Sequence, residues 1–389
     1  MDKVASYTEK RLYVAVELNV SQIEKALKVL KPHLLKIEKL PRIINESKTY
    51  ETFDFRVLDI QSGNPILHLR SNGISQTADE ESQSLLNRRF LLIKYNESLG
   101  HSSEFRFVKL EITLNAKFFS HTELLQKLIS ENFHLSAYEV VGDIIHLNLT
   151  EEQEKFKKII ADVLFFKTGK TVINKIGKIE DTFRFYKNEI LAGGHSLVTT
   201  HKENGVKFIM DLGEVYWCSR LQSERIRILD MVKKGQVVCD PFCGVGPHII
   251  PAVKKGAYGL CNDLNPNAIK WLKKSLEINN LTCNVVENMD ATAFLEGLKG
   301  QKIDHLIFNL PEFSLEYLRY AQNFSGFWLH VFFFCKEEEN CSEMIYRKTG
   351  FKIDPSWIRE CRKVSPSKSV MKLEVYDLDF FRLQHDQSN

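Results

Sequence analysis

Apolar residues recur along this chain with two different periods, and the switches between them mark out its elements. Val108-Lys109-Leu110-Glu111-Ile112-Thr113-Leu114 alternates apolar and polar side chains, as a half-buried strand does. His121 to Ile129 then reads as a helix, Tyr138 to Leu147 as a strand with a central turn, Glu151 to Leu164 as a helix and Thr171 to Lys175 as a strand. Nearer the start, Ser21 to Leu40 places Ile23, Leu27, Leu30, Leu34, Leu35 and Ile37 at roughly helical spacing. Lysines decorate that stretch; a solvated helix face explains them more simply than an RNA-facing stripe. From about Val215 strands and helices alternate. Strands are expected at 236–239, 257–261, 283–286 and 304–308, then at Trp328–Phe334 and Leu373–Leu378. Helices are expected at 220–232, 248–254, 266–279 and 314–322. This pattern predicts the α/β class, with a doubly wound, Rossmann-like sheet holding its ligand at the carboxyl ends of the strands.

The same pattern divides the 389 residues into three expected domains: an N-terminal module over 1–95, an α+β domain over 105–213 and the doubly wound domain over 214–389. Hydrophobic residues at 43% and charged residues at 26% are ample for globular cores. The net charge of +3 excludes a polycation, so any nucleic-acid surface must come from local clustering. Lys155, Lys157, Lys158, Lys167, Lys170, Lys175 and Lys178 form the densest basic cluster, which suggests a polyanionic substrate. The start of the chain has no apolar run of a secretory signal, and no apolar stretch is long enough to span a bilayer. A soluble cytoplasmic monomer is expected, with nucleus and mitochondrial matrix as alternatives and no membrane or obligate protein partner. The eight cysteines contain no Cys-x-x-Cys pair, so reduced thiols rather than a metal site are expected.

Asp240-Pro241-Phe242-Cys243-Gly244-Val245-Gly246-Pro247 stands between the apolar strand 236–239 and an apolar helix start. Glycines in such a turn let backbone approach a ligand closely. Asp240 suits an amine-bearing ligand, and Asp263, at the end of the next strand, suits ribose hydroxyls. S-adenosylmethionine offers both. Phe308-Asn309-Leu310-Pro311 closes another strand at the same sheet edge; an amide followed by a rigid proline can hold a flat heterocycle, although alone it reads as a turn. Leu310 and Glu312 replace the first of two prolines and the following aromatic residue usual where an exocyclic amine is methylated, which argues against amine methylation. Tyr216-Trp217-Cys218-Ser219-Arg220-Leu221-Gln222-Ser223-Glu224-Arg225 carries a carboxylate that fits either a surface ion-pair ladder with Arg220 and Arg225 or a catalytic role. Ser219 is a candidate helix cap. Arg184, between Phe183 and Phe185, fits either a snorkelling surface residue or a stabiliser of charge on a base.

Together these segments resemble the tRNA (guanine-37-N1)-methyltransferases of the archaeal and eukaryotic type. The resemblance runs in order from Tyr138-Glu139-Val140-Val141-Gly142-Asp143, through Val172 to Ile179, Phe183 to Gly193, Val215 to Arg225, Asp240 to Pro247 and Asn262 to Pro266, to Asn309 to Pro311 and Arg362 to Pro366. It covers about residues 105 to 380; residues 1–95 match poorly. The resemblance implies Glu224 as general base, Arg184 near the base oxygen, Asn309 and Pro311 around the target guanine, and Tyr216 as an active-site aromatic. It implies S-adenosylmethionine held by Asp240, Phe242, Gly244, Gly246, Asp263, Leu264, Asp290, Ala291 and Asn309. Asp263 would meet the ribose and Asp290 the adenine. The anticodon loop of tRNA would be the substrate, and residues 1–95 would touch the tRNA outer corner. Cys243 and His248 depart from the family's usual Ala and Phe. Two other readings keep part of this picture: an aminocarboxypropyl transferase of the wybutosine pathway, and an inactive tRNA-binding scaffold.

Overall fold

The computed structural model describes residues 1–45, 48, 50–58, 65–67, 88–94, 105–176, 187–365 and 367–377. The chain divides into two compact units. One comprises Met1–Leu135 with Glu151–Gly169, the other Ser136–Thr150 with Lys170–Asn389.

The first unit is built on an antiparallel sheet of six strands: β1 (Thr8–Leu18), β2 (Ile43–Asn45), β3 (Phe53–Leu58), β4 (Pro65–Leu67), β5 (Arg89–Ile93) and β6 (Arg106–Asn115), in the order β2-β5-β1-β6-β3-β4. The alternation read at Val108 to Leu114 is real: Val108, Leu110, Ile112 and Leu114 are all fully buried. The expected boundary at residue 105 is corrected, however. β6 pairs with β1 over Thr8↔Asn115 to Glu17↔Arg106 and with β3 over Phe53↔Leu114 to Leu58↔Lys109, so it lies at the heart of the N-terminal sheet. The sequence periodicity locates a strand but not its hydrogen-bonding partners. Of the helix expected over Ser21–Leu40, only Ile23–Val29 is α-helical. A 3₁₀ turn at Lys31–His33 containing Pro32 ends it, because proline removes a helical donor.

In the second unit, β7 (Glu139–Val141), β8 (Ile144–Leu147), β9 (Thr171–Ile176) and β10 (Lys187–Ala192) form a sheet in the order β10-β9-β8-β7, and β11 (Val198–Glu203) pairs with β12 (Val206–Asp211). The remainder holds β13 (Val237–Asp240), β14 (Tyr258–Asn262), β15 (Val285–Glu287), β16 (His305–Phe308), β17 (Trp328–Lys336), β18 (Ile358–Ser365) and β19 (Lys368–Tyr376). Their order, β15-β14-β13-β16-β17-β19-β18, is that of a doubly wound sheet; β13 to β17 run parallel, and β19 and β18 close one edge antiparallel. Apolar residues cover both faces. Val238, Ile307 and Phe332 pack with Ile249, Ile250 and Leu272 on one side, while Cys239, Leu306, Phe308 and Val331 pack with Leu295, Leu318 and Ile345 on the other. Helices Ile249–Lys254 and Pro266–Ile278 fall where expected. Segment Ser314–Asn323 is 3₁₀ rather than α-helical, and its apolar residues Leu315, Leu318 and Ala321 recur every third position, which aligns them on a three-residue turn.

Candidate active site

Strand β13 delivers Asp240 to the carboxyl edge of the sheet with 1% of its surface exposed. One carboxylate oxygen accepts from the Phe242 N–H at 3.0 Å, which starts the turn. Burial, reinforced by the nearby charge of Asp263, pushes the Asp240 carboxyl up to about 8. Gly244 and Gly246 follow with φ of +53° and +87°, which side-chain-bearing residues rarely adopt. A Cβ on Gly246 would lie 2.5 Å from Leu272, so this glycine lets the turn seat on helix Pro266–Ile278. A Cβ on Gly244 would meet nothing within 4 Å; it faces open space.

Asp263 follows β14. Its two oxygens accept the N–H groups of Gly244 at 2.8 Å and Asn265 at 2.9 Å, and burial raises its pKa. Each oxygen keeps a second lone pair for a ribose hydroxyl. Asn262, fully buried, ties the loops together: its amide donates to the carbonyls of Pro241 (3.2 Å) and Met289 (3.0 Å) and accepts from the Met289 N–H. Asp290 caps helix Ala291–Gly297 through the Thr292 N–H; it is exposed and Ala291 buried. Leu264 is exposed, and Phe242 packs edge-on to Tyr317 at 4.8 Å. These three loops supply an open glycine turn, a buried carboxyl suited to an ammonium group and a half-buried carboxylate suited to a diol. The residues fit S-adenosylmethionine.

The loop after β16 carries Asn309 and Pro311. It is fixed by Ser314, fully buried, whose hydroxyl accepts from Leu310 N–H (2.9 Å) and donates to Phe308 carbonyl (3.0 Å). Asn309 Nδ2 faces His248 Nε2 at 3.4 Å. Burial, then the charges of Arg225 and Lys372, hold His248 neutral far below its ordinary pKa. A neutral ring that accepts from Asn309 leaves the amide oxygen turned the other way.

Glu224 sits in the first turn of helix Gln222–Met231 and is 7% exposed. Both its oxygens are held by Arg359 of β18, Nη1 to Oε1 at 2.9 Å and Nη2 to Oε2. Arg227 Nε lies 3.5 Å and Lys372 Nζ 3.8 Å from Oε2. The surface ladder with Arg220 and Arg225 is therefore corrected. Arg220 is exposed, and Arg225 points the other way into a buried two-pronged pair with Glu203, at 2.6 Å on both contacts. Ser219 caps nothing with its side chain; its N–H donates to Glu139. Tyr216 is 44% exposed. Arg184 lies outside the described residues.

Sequence reasoning missed Arg359, Lys372, Glu374, Asn262 in its loop-tying role, and Ser314. The alternation Lys372-Leu373-Glu374-Val375 in β19 is the signature of a solvent-facing polar side, yet Lys372 is fully buried. What reveals it is the set of ion pairs that Lys372 and Glu374 make with Glu224 and Arg227 of helix Gln222–Met231.

The family profile described as the TRM5/TYW2 methyltransferase domain matches residues 199–347, and that of the TYW2 N-terminal domain matches residues 121–196. The tRNA (guanine(37)-N(1))-methyltransferase of Encephalitozoon cuniculi is 41% identical over 347 residues, covering 88% of each chain. That of Entamoeba histolytica is 34% identical over 301 residues, 73% of this chain and 77% of the relative. A solved structure titled as the complex of aTrm5 and tRNALeu is similar in fold, with a TM-score of 0.63 at 24% identity, covering 93% of this chain and 98% of that one. The chain belongs to the family of tRNA (guanine(37)-N(1))-methyltransferases.

Proposed function

We propose that this protein transfers a methyl group from S-adenosylmethionine to N1 of guanosine 37 in the anticodon loop of tRNA. The observation that carries the reading is topological. The glycine turn after β13 and the Asn309 loop after β16 leave adjacent strands where the strand order reverses, the crevice in which doubly wound sheets take their ligands.

S-adenosylmethionine supplies an electrophilic methyl on its sulfonium. Asp240 takes the cofactor's ammonium group, and Asp263 its ribose hydroxyls. Guanine N1 carries a proton and is a poor nucleophile while it does. Glu224 accepts that proton as the methyl carbon bonds to N1 and leaves its sulfur, which would keep the bond's electron pair as a neutral thioether. Glu224 uses a lone pair that Arg359 leaves open, and such general-base help is worth about 100-fold or more. Asn309, oriented by His248 and backed by Pro311, holds the guanine edge. Arg184 takes the charge developing on O6 in the same reading. Target and enzyme meet only after guanine leaves the loop's stack, at a cost of a few kcal/mol. In the same proposal Lys155, Lys157 and Lys158 of the first unit contribute to phosphate contacts, and residues 1–95 reach the outer corner of the tRNA.

Glu224→Gln tests the assignment. Cofactor affinity by calorimetry is expected to stay within about twofold, while single-turnover methyl transfer falls by at least about 100-fold. Turnover equal to wild type would remove Glu224 as the base.

A further inference from the structure

Behind Glu224 the structure holds a second carboxylate that no step above uses. Glu374 on β19 receives Lys372 Nζ at 2.6 Å, Arg227 Nη2, and His330 Nδ1 at 2.7 Å, all on one oxygen. His330 is fully buried, and burial pushes it down to about 3, so it donates as a neutral ring. Its other nitrogen meets His305 Nδ1 at 3.1 Å. Glu224 and Glu374 thus face the same two cations, and the distances divide them unequally. Lys372 is 2.6 Å from Glu374 but 3.8 Å from Glu224; Arg227 gives its terminal nitrogen to Glu374 and only Nε, at 3.5 Å, to Glu224. Glu224 keeps one close partner, Arg359, whose side chain is 38% exposed.

We propose that Glu374 is a positioning residue for the reaction: it draws Lys372 and Arg227 off Glu224 Oε2, so that this oxygen, which Arg359 Nη2 already holds, keeps a second lone pair to receive the guanine proton. A buried group of charges is a poor way to stabilise a fold, because well-packed apolar residues serve as well or better. Its use here is the division of cations between the two carboxylates. Without Glu374, Lys372 has no carboxylate beside it but Glu224 among the described residues, and an ammonium seated on Oε2 takes the lone pair that Arg359 leaves open there. The inference rests on Glu224 being the base.

Glu374→Gln is expected to lower the single-turnover rate by about tenfold or more, with cofactor and tRNA dissociation constants changed by less than about threefold. Adding Lys372→Met to that variant removes the displaced cation and is expected to recover most of the loss, to within about threefold of wild type. A merely structural role predicts the opposite for the double variant, in which two buried partners are gone. An unchanged rate in Glu374→Gln, or a double variant as slow as the single one, overturns the proposal. If Glu374→Gln does not fold, Glu374→Asp, which keeps the charge but retracts it, decides: a several-fold slower rate at unchanged affinities supports the proposal, and an unchanged rate overturns it. Glu224→Gln is measured alongside. If it turns over normally, the base assignment and this inference fall together; if it is dead while Glu374→Gln is unaffected, only this inference falls.

Discussion

Asp240 joins two properties at one residue: near-complete burial and, under the proposed function, a cationic partner. With its carboxyl at about 8 in the folded protein, against the ordinary value of 3.8, the folded state holds one proton more than the unfolded chain between those pH values. This group's contribution to stability is therefore most favourable at acid pH and is lost as pH rises toward 8. Asp240→Asn carries no ionisation to suppress, so its melting temperature relative to wild type should climb from pH 6 to pH 8, while its cofactor affinity drops about tenfold or more. For wild type, a cationic ligand that needs the ionised carboxylate should bind more tightly as pH rises over the same interval, by up to about tenfold per unit. Calorimetry across that range checks both; a pH-independent affinity would place the cofactor's amine elsewhere.

At the scale of elements, the two glycines of the β13 turn separate fold from function. Gly246→Ala would drive a methyl group to 2.5 Å from Leu272 and 2.8 Å from Ile250, and is expected to cost about 1–3 kcal/mol of stability. Gly244→Ala meets open space and should cost only about 1 kcal/mol of backbone strain, yet it should weaken the cofactor strongly because its methyl enters the cradle. Urea unfolding and calorimetry on the pair distinguish the two effects; equal losses in both measurements would contradict it. The turn itself was legible from sequence because glycines, an acid and an apolar strand are local signals. Helices Ala291–Gly297 and Cys341–Thr349 and strand β18 were not read, and β18 carries Arg359. Ile358 to Ser365 is a polar, basic run whose strand identity comes from pairing with β19 rather than from its own alternation. Helix Gln222–Met231 shows the same limit: Glu224 and Arg225 are buried in it through ion pairs with other strands, where sequence spacing alone predicts a solvated face.

For the whole molecule, the sequence carried the doubly wound class and the family, because both are written in consecutive motifs, while the strand order comes from the structure. It misplaced β6, whose partners lie far from it in the chain, β3 by about fifty to sixty residues and β1 by about ninety or more. It also treated Lys155 to Lys178 as one basic cluster, whereas Lys155, Lys157, Lys158 and Lys167 belong to one compact unit and Lys170 and Lys175 to the other, with Lys178 outside the described residues. Several of these lysines already serve their own unit. Lys158 pairs with Asp162, Lys167 donates to the carbonyls of Ala116 and Lys117, and Lys170 pairs with Asp143. With a net charge of only +3, binding of tRNA must rest on placed contacts and on the extruded guanine rather than on bulk charge. The central claim is therefore the reaction at that base. Methyl transfer from labelled S-adenosylmethionine to unmodified tRNA transcripts with guanosine or adenosine at position 37 tests it directly. Label on the guanosine transcript alone, recovered as 1-methylguanosine, is the predicted result; tight cofactor binding with no label, or label that does not depend on the guanosine, would contradict it.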